Sequence, residues 1–200
     1  MEEKELILKA KSGDADAFEV LLRQNEKAVY NFCLRMCGSR EDAFDLSQEA
    51  FIKAYRGLKS FKGESSFSTW LYRLTSNVCI DFLRKRKNEK TVPLFMENDE
   101  GEENERAIPD PAPTPHERAE NSELRRDIRN TLLSLSAEHR QAIVLREING
   151  LTYEEIARTL DISIGTVKSR ISRARSEMCR ELKRRWNFSG ITASNKTKGE

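Results

Sequence analysis

All five prolines of this 200-residue chain fall between Pro93 and Pro115, inside a stretch (residues 89–121) that carries ten acids against three bases. Proline removes a backbone donor and breaks helices, and self-repelling acids favour extended chain, so no packed helical core can run through this stretch. The sequence therefore divides. Residues 1–90 and 122–186 are expected to form two small helical domains, with 91–121 as a flexible acidic linker and 187–200 ("NFSGITASNKTKGE") as a frayed, disordered tail. No window alternates with the period of a strand, and the fold class is all-α.

Helical spacing fills the first domain. "ELILKAKSGDADAFEVLLRQNEKAVYNFCLRMCG" carries it on both sides of a break at Ser12-Gly13-Asp14, and Gly38 ends the second helix. A third helix starts behind Ser39 as N-cap and ends near Gly57; a fourth runs from about Phe67 into the basic run Arg84-Lys85-Arg86-Lys87. Between them lies "FKGESSF", a flexible turn flanked by aromatic rings.

Charge is segregated. The whole chain is only +2, but Ser163–Arg185 holds eight bases against two acids. A polyanion is the natural partner of such a segment. Cys33, Cys37, Cys79 and Cys179 lack the paired spacing of a metal site, and His116 and His139 stand alone. Reduced thiols, with no metal and no cofactor, are expected. No apolar run follows the acidic start "MEEKE" and no 18-residue apolar segment occurs, which disfavours secretion and membrane insertion and favours a cytoplasmic protein.

The strongest local signal is "LTYEEIARTLDISIGTVKSRISRAR", residues 151–175. Thr152 and Glu155 make a capping box; Asp161-Ile162-Ser163 is a tight connection, and Ser163 caps the next helix. In that helix Val167, Ile171, Ala174 and Met178 form a buried stripe, while Thr166, Lys168, Ser169, Arg170, Ser172, Arg173 and Arg175 occupy the other faces. That is a helix-turn-helix presenting donors to a major groove. The plainer alternative is a helical hairpin with a solvated basic face.

Two further faces stand out. On the fourth helix Phe67, Leu71, Leu74, Val78 and Phe82 should be core, and Arg73, Asn77, Asp81 and Arg84 gather opposite them. Such a row suits base edges and phosphates, or is simply solvated. On the third helix a small-residue stripe (Ala43, Leu46, Ala50, Ala54) faces the core, and Ile52 sits outside among Asp45, Gln48, Glu49 and Arg56, with Tyr55 at the margin. Ile52 is either an ordinary exposed apolar residue or the anchor of a helix-on-helix contact.

Taken in order, "DLSQEAFIKAYRGLKSFKGESSFSTWLYRLTSNVCIDFLRKRK", the acidic linker and "LSAEHRQAIVLREINGLTYEEIARTLDISIGTVKSRISRAR" resemble the extracytoplasmic-function sigma factors, the smallest members of the sigma-70 class. The resemblance covers about residues 5–185. It implies a non-enzymatic initiation factor for a stress or envelope regulon, with core RNA polymerase as partner through the beta-prime coiled coil and the beta flap. Asp45, Gln48, Glu49, Ile52 and Tyr55 would meet the coiled coil. Phe61, Lys62, Gly63, Glu64 and Ser65 would capture a base flipped from the −10 element, lined by Arg73, Asn77, Asp81 and Arg84. Thr166, Lys168, Ser169, Arg170, Ser172, Arg173 and Arg175 would read the −35 duplex. Regulation would come from an anti-sigma factor, often membrane-bound in the family. The acidic linker would thread toward the polymerase active centre, or act as a plain tether.

Unpairing a base costs a few kcal/mol, offset by stacking worth roughly 1–3 kcal/mol per base and by edge contacts. A factor with one capture pocket should therefore open only well-matched promoters. A stand-alone helix-turn-helix regulator is the alternative, though no heptad seam or dimerisation arm is evident. A nucleic-acid enzyme would need metal-holding acids; Glu154-Glu155 and Glu102-Glu103 are better explained by a helix start and by the linker.

Overall fold

Local signals set the helix ends. Asp14 Oδ1 accepts the Ala17 amide at 3.0 Å to open one helix, and Gly38, in the left-handed region at φ 80°, closes it with its amide on the Leu34 carbonyl. Ser39 then caps the next through the Asp42 amide at 3.2 Å. The computed structural model describes residues 2–89 and 115–186. Over these the order is α1 (Glu3–Lys11), α2 (Ala15–Cys37), α3 (Arg40–Gly57), a 3-10 turn (Leu58–Ser60) and α4 (Phe67–Glu89). It continues with α5 (Pro115–Ser134), α6 (Ala137–Ile143), a π-helical turn (Val144–Ile148), α7 (Tyr153–Leu160) and α8 (Ile164–Trp186). No strand occurs among the described residues. The all-α, two-part reading holds, with one adjustment: α5 starts at Pro115, so 115–121 of the expected linker is helical. Proline at a first helical position gives up a donor that would have no partner there. The rest of the linker and the tail lie outside the described residues.

In the first half α2, α3 and α4 pack around Leu21, Phe32, Met36, Phe67 and Leu71, with α1 laid against α2 through Leu6 and Ala10. On α3 the buried side carries a small stripe (Ala43, Ser47, Ala50, Ala54) between Leu46 and Phe51, which lets neighbouring helices approach closely there. In the second half Leu145, Ile156, Val167, Ile171 and Ala174 form the centre.

The two cores are continuous across their junction. Arg140, buried on α6, donates to the carbonyls of Leu132, Leu133 and Leu135 at the end of α5 and to that of Met36 at the end of α2. Its charge thus meets the negative ends of two helices from opposite halves. Asn149 Nδ2 donates to the Tyr72 hydroxyl at 2.7 Å, Gln141 Nε2 reaches the Ser76 carbonyl at 3.4 Å, and Leu133 packs on the bare α-carbon of Gly38.

Three of the four cysteines cluster inside the first half. Cys33 and Cys79 Sγ lie 3.8 Å apart and fully buried, and the Cys37 thiol donates to the Ser39 carbonyl at 3.3 Å. The contact with Cys33 and burial push the Cys79 thiol far up; burial pushes Cys37 from 9.0 up to about 11. Since the thiolate is the nucleophile, these thiols should resist alkylation while exposed Cys179 reacts. Iodoacetamide near pH 7.5 followed by mass spectrometry should show Cys179 modified first; early labelling of Cys79 would contradict the packing. Between pH 9.0 and about 11 folded Cys37 keeps a proton that the unfolded chain has lost, so stability falls as pH rises through that window. Chemical denaturation of Cys37→Ala should show a smaller fall over the same interval.

Candidate nucleic-acid interface

The outer face of α3 is apolar at its centre. Phe44 (57% exposed), Ile52 (51%) and Tyr55 (62%) stand out with Gln48 between them, and Asp45 and Glu49 are exposed beside this strip. At 100° per residue Phe44, Tyr55, Gln48 and Ile52 fall within about 80° of arc. The expected docking residues thus share one surface. Phe44 escaped the sequence reading although its spacing, four before Gln48 and eight before Ile52, signals it. The Tyr55 ring meets Phe18 edge-on at 5.2 Å, and Lys53 pairs with Glu49 at 2.8 Å. These contacts limit the freedom of both side chains.

The loop after α3 stands on three rings. Phe61 lies 5.0 Å from Trp70 and 6.2 Å from Phe67, and Phe67 lies 5.6 Å from Trp70. Phe61 is only 4% exposed. Grouped above with the base-capturing turn, its ring belongs instead to the buried foundation, because Phe67 and Trp70 of α4 enclose it. It offers no face for stacking. Lys62, Gly63 and Glu64 are exposed and Ser65 half-buried; Gly63 takes φ 76°, with open space where a Cβ would stand. Ser66 closes the loop by accepting the Thr69 amide at 3.1 Å on Oγ. The exposed turn therefore presents backbone groups and the Lys62–Glu64 pair, which suits the edge of a base.

Directly after the loop, α4 turns Phe67, Leu71 and Val78 inward, with Leu74 and Phe82 half-buried. Arg73, Asn77, Asp81 and Arg84 are all exposed. From Arg73 to Arg84 the row climbs about 16 Å along the helix axis. Arg86, further on, is tied to Asp42 of α3 at 2.7 Å and is committed to the fold.

In the second half the capping box is complete: Glu155 N donates to Thr152 Oγ1 at 3.2 Å and Thr152 N to Glu155 Oε2 at 2.8 Å. Asp161 turns the chain at φ 52°, and Ser163 Oγ accepts the Thr166 amide at 3.1 Å to start α8. Val167, Ile171 and Ala174 are buried, Met178 half-buried; Lys168, Ser169, Ser172 and Arg173 are exposed, Thr166 and Arg170 half-buried. Arg175 is exposed but clasped by Glu147 of the π-helical turn through Nε at 3.2 Å and through Nη2. To contact DNA it must exchange that carboxylate for a phosphate. Two features were not foreseen. Tyr153 lies under Arg146 (4.8 Å) and Lys168 (6.0 Å), steadying both cations. Ile164 is an exposed apolar residue in the first turn of α8, the part of the second helix that contacts base edges in helix-turn-helix proteins generally.

Among the described residues no cluster of His, Cys, Asp or Glu could hold a metal ion, and no helix is long and apolar enough to cross a membrane.

This pairing of an exposed basic helix-turn-helix with a helical half bearing an apolar outer strip and a polar row is matched by known proteins. Residues 21–89 match the family model of Sigma-70 region 2, and residues 125–178 that of Sigma-70, region 4. The ECF RNA polymerase sigma factor SigW of Bacillus subtilis is 36% identical over 180 residues, covering 90% of this chain and 96% of the relative. The ECF RNA polymerase sigma-E factor of Escherichia coli K12 is 39% identical over 174 residues, covering 85% and 88%. Both halves also resemble solved structures. The sigma factor RpoE of Bartonella quintana, in complex with the anti-sigma factor NepR, has a TM-score of 0.65 at 28% identity over 83% of this chain and 96% of its own. CnrH, in complex with the cytosolic domain of CnrY, has a TM-score of 0.65 at 26% identity over 90% and 96%. The chain belongs to the extracytoplasmic-function sigma factors of the sigma-70 class: it is an alternative initiation factor of RNA polymerase acting on promoter DNA.

The helix-turn-helix depends on its caps. Ser163→Ala removes the oxygen that receives the Thr166 amide and should cost about 1 kcal/mol, read as a lower urea midpoint at unchanged slope. An unchanged midpoint would mean that the cap contributes nothing to α8.

Proposed function

We propose that this factor docks on the beta-prime coiled coil of core polymerase through the outer face of α3, with Ile52 and Phe44 as apolar anchors. The α8 face from Thr166 to Arg173 reads the −35 duplex. Arg73, Asn77, Asp81 and Arg84 line the −10 strand, and the turn Lys62–Ser65 holds its flipped base. The observation that carries this reading is the exposure of all three surfaces on separate elements of one chain that matches both sigma regions. The factor makes and breaks no covalent bond. Phosphate neutralisation by the basic face of α8 gives a salt-dependent foothold, and base capture biases the unpaired strand toward the open state. Its place of work is the cytoplasm, with polymerase, at promoters of a stress or envelope regulon.

The junction between the halves bears on this scheme. About 25 base pairs separate the −35 and −10 elements, or about 85 Å at 3.4 Å per base pair. A body of this size is about 40 Å across. The halves must therefore part to engage both elements, giving up the Arg140 bond to Met36 and the Asn149 bond to Tyr72. RpoE was solved with the anti-sigma factor NepR bound and CnrH with the cytosolic domain of CnrY, and a protein partner that grips this closed form would act as the anti-sigma factor.

Run-off transcription with core polymerase over the region upstream of the gene tests the reading. Initiation that requires the added protein is expected. No added initiation on any promoter of its organism, together with tight dimeric binding to a palindrome without polymerase, would favour a stand-alone regulator instead. Ile52→Asp should weaken core binding at least a hundredfold while the helical circular-dichroism signal stays intact, because a charge would have to be desolvated at the centre of the contact. Unchanged affinity would remove α3 from the docking scheme.

A further inference from the structure

The turn from Lys62 to Ser66 is fastened at both ends to α1, a helix that precedes the stretch matching Sigma-70 region 2. At its entrance Lys11 Nζ donates to the Phe61 carbonyl and stands 5.8 Å from the centre of the Phe61 ring. At its exit Glu3 Oε1 accepts the Phe67 amide at 3.2 Å. That amide opens α4 and has no partner within its own helix, and the carboxylate also faces the positive helix end. The helix supplying both groups is itself seated by buried Leu6 and Ala10. Between these fixed points Lys62, Gly63 and Glu64 face solvent, with Gly63 in the left-handed region. The loop is pinned at its ends and open in the middle.

We propose that Glu3 and Lys11 are positioning residues of the base-capturing loop. They hold its two ends at the separation in which the backbone of Lys62–Ser65 receives a flipped base, and they do not touch DNA themselves. The inference rests on the reading of that loop under Proposed function. Its physical ground is conformational entropy. A loop ordered only on binding sets its ordering against affinity, whereas a loop held beforehand does not.

The test uses full-length protein assembled with core polymerase and a fluorescent single-stranded oligonucleotide carrying the −10 element. Glu3→Ala and Lys11→Met should each weaken binding roughly tenfold, and Lys11→Arg should restore it. Glu3→Asp, which keeps the charge but withdraws the acceptor by one methylene, should fall between Glu3→Ala and the parent. With an abasic site at the flipped position, all variants should bind like the parent. The salt dependence should keep its slope in Lys11→Met, because only a direct phosphate contact would lower it by about one unit. Parent-like binding to the intact oligonucleotide, an equal loss on the abasic one, or a reduced slope would each overturn the inference. Replacing Lys62–Ser65 by an unrelated turn separates the two readings. If promoter opening survives that replacement, the loop itself has been misread. If opening is lost while the Glu3 and Lys11 variants behave like the parent, only the positioning role fails.

Discussion

One guanidinium organises the meeting of the two halves. Arg140 is buried, where an unsatisfied charge would cost several kcal/mol, and its donors are taken up by four backbone carbonyls. Burial lowers its pKa, yet an arginine in such a site stays protonated. Three of the acceptors belong to the turn that ends α5, so the same residue fixes the approach of α6 to α5 and hence the placement of the helix-turn-helix. The fourth belongs to α2. In the proposed parting of the halves, Arg140 would keep its own-half partners, and the Met36 carbonyl, the Tyr72 hydroxyl and the Ser76 carbonyl would turn to water.

The first half solves a different problem, that of holding an exposed loop still. Phe61, Phe67 and Trp70 bury a wide aromatic surface beneath a turn that carries glycine, serines and a pair of opposite charges. The rings give the loop a floor, and α1 fixes its ends. In the proposed scheme, recognition by this turn would rest on backbone groups and polar side chains rather than on aromatic stacking, and their directions discriminate between bases more sharply than ring faces do.

Much of this was legible in the sequence, for a local reason. Ser39, Thr152 with Glu155, Ser163 and Gly38 act within four residues of themselves, so their roles as caps and stops can be read from spacing alone. The buried stripe of α8 and the row from Arg73 to Arg84 follow from helical period. What stayed hidden joins residues far apart. Lys11 and Phe61 are fifty positions apart, Glu3 and Phe67 sixty-four, Met36 and Arg140 one hundred and four. No periodicity carries such pairings. Phe61 was misjudged for this reason, since nothing in "FKGESSF" shows that α4 folds back over its ring. The linker boundary was misplaced because the composition that marks extended chain also contains the proline that starts α5.

The alanines of α3 have a mechanical consequence. Ala43, Ala50 and Ala54 end at Cβ, so along this stripe, beside buried Leu46 and Phe51, the inner side of the helix has few rotamers with which to absorb a displacement. Its C-terminus runs through Gly57, which lies against the Trp70 ring, into the turn Leu58–Ser60 and then to Phe61. The helix thus links its exposed outer face directly to the rings beneath the Lys62–Ser65 turn. In the proposed docking scheme, a tilt imposed on that outer face would be passed toward the loop's floor with few side chains between to take it up.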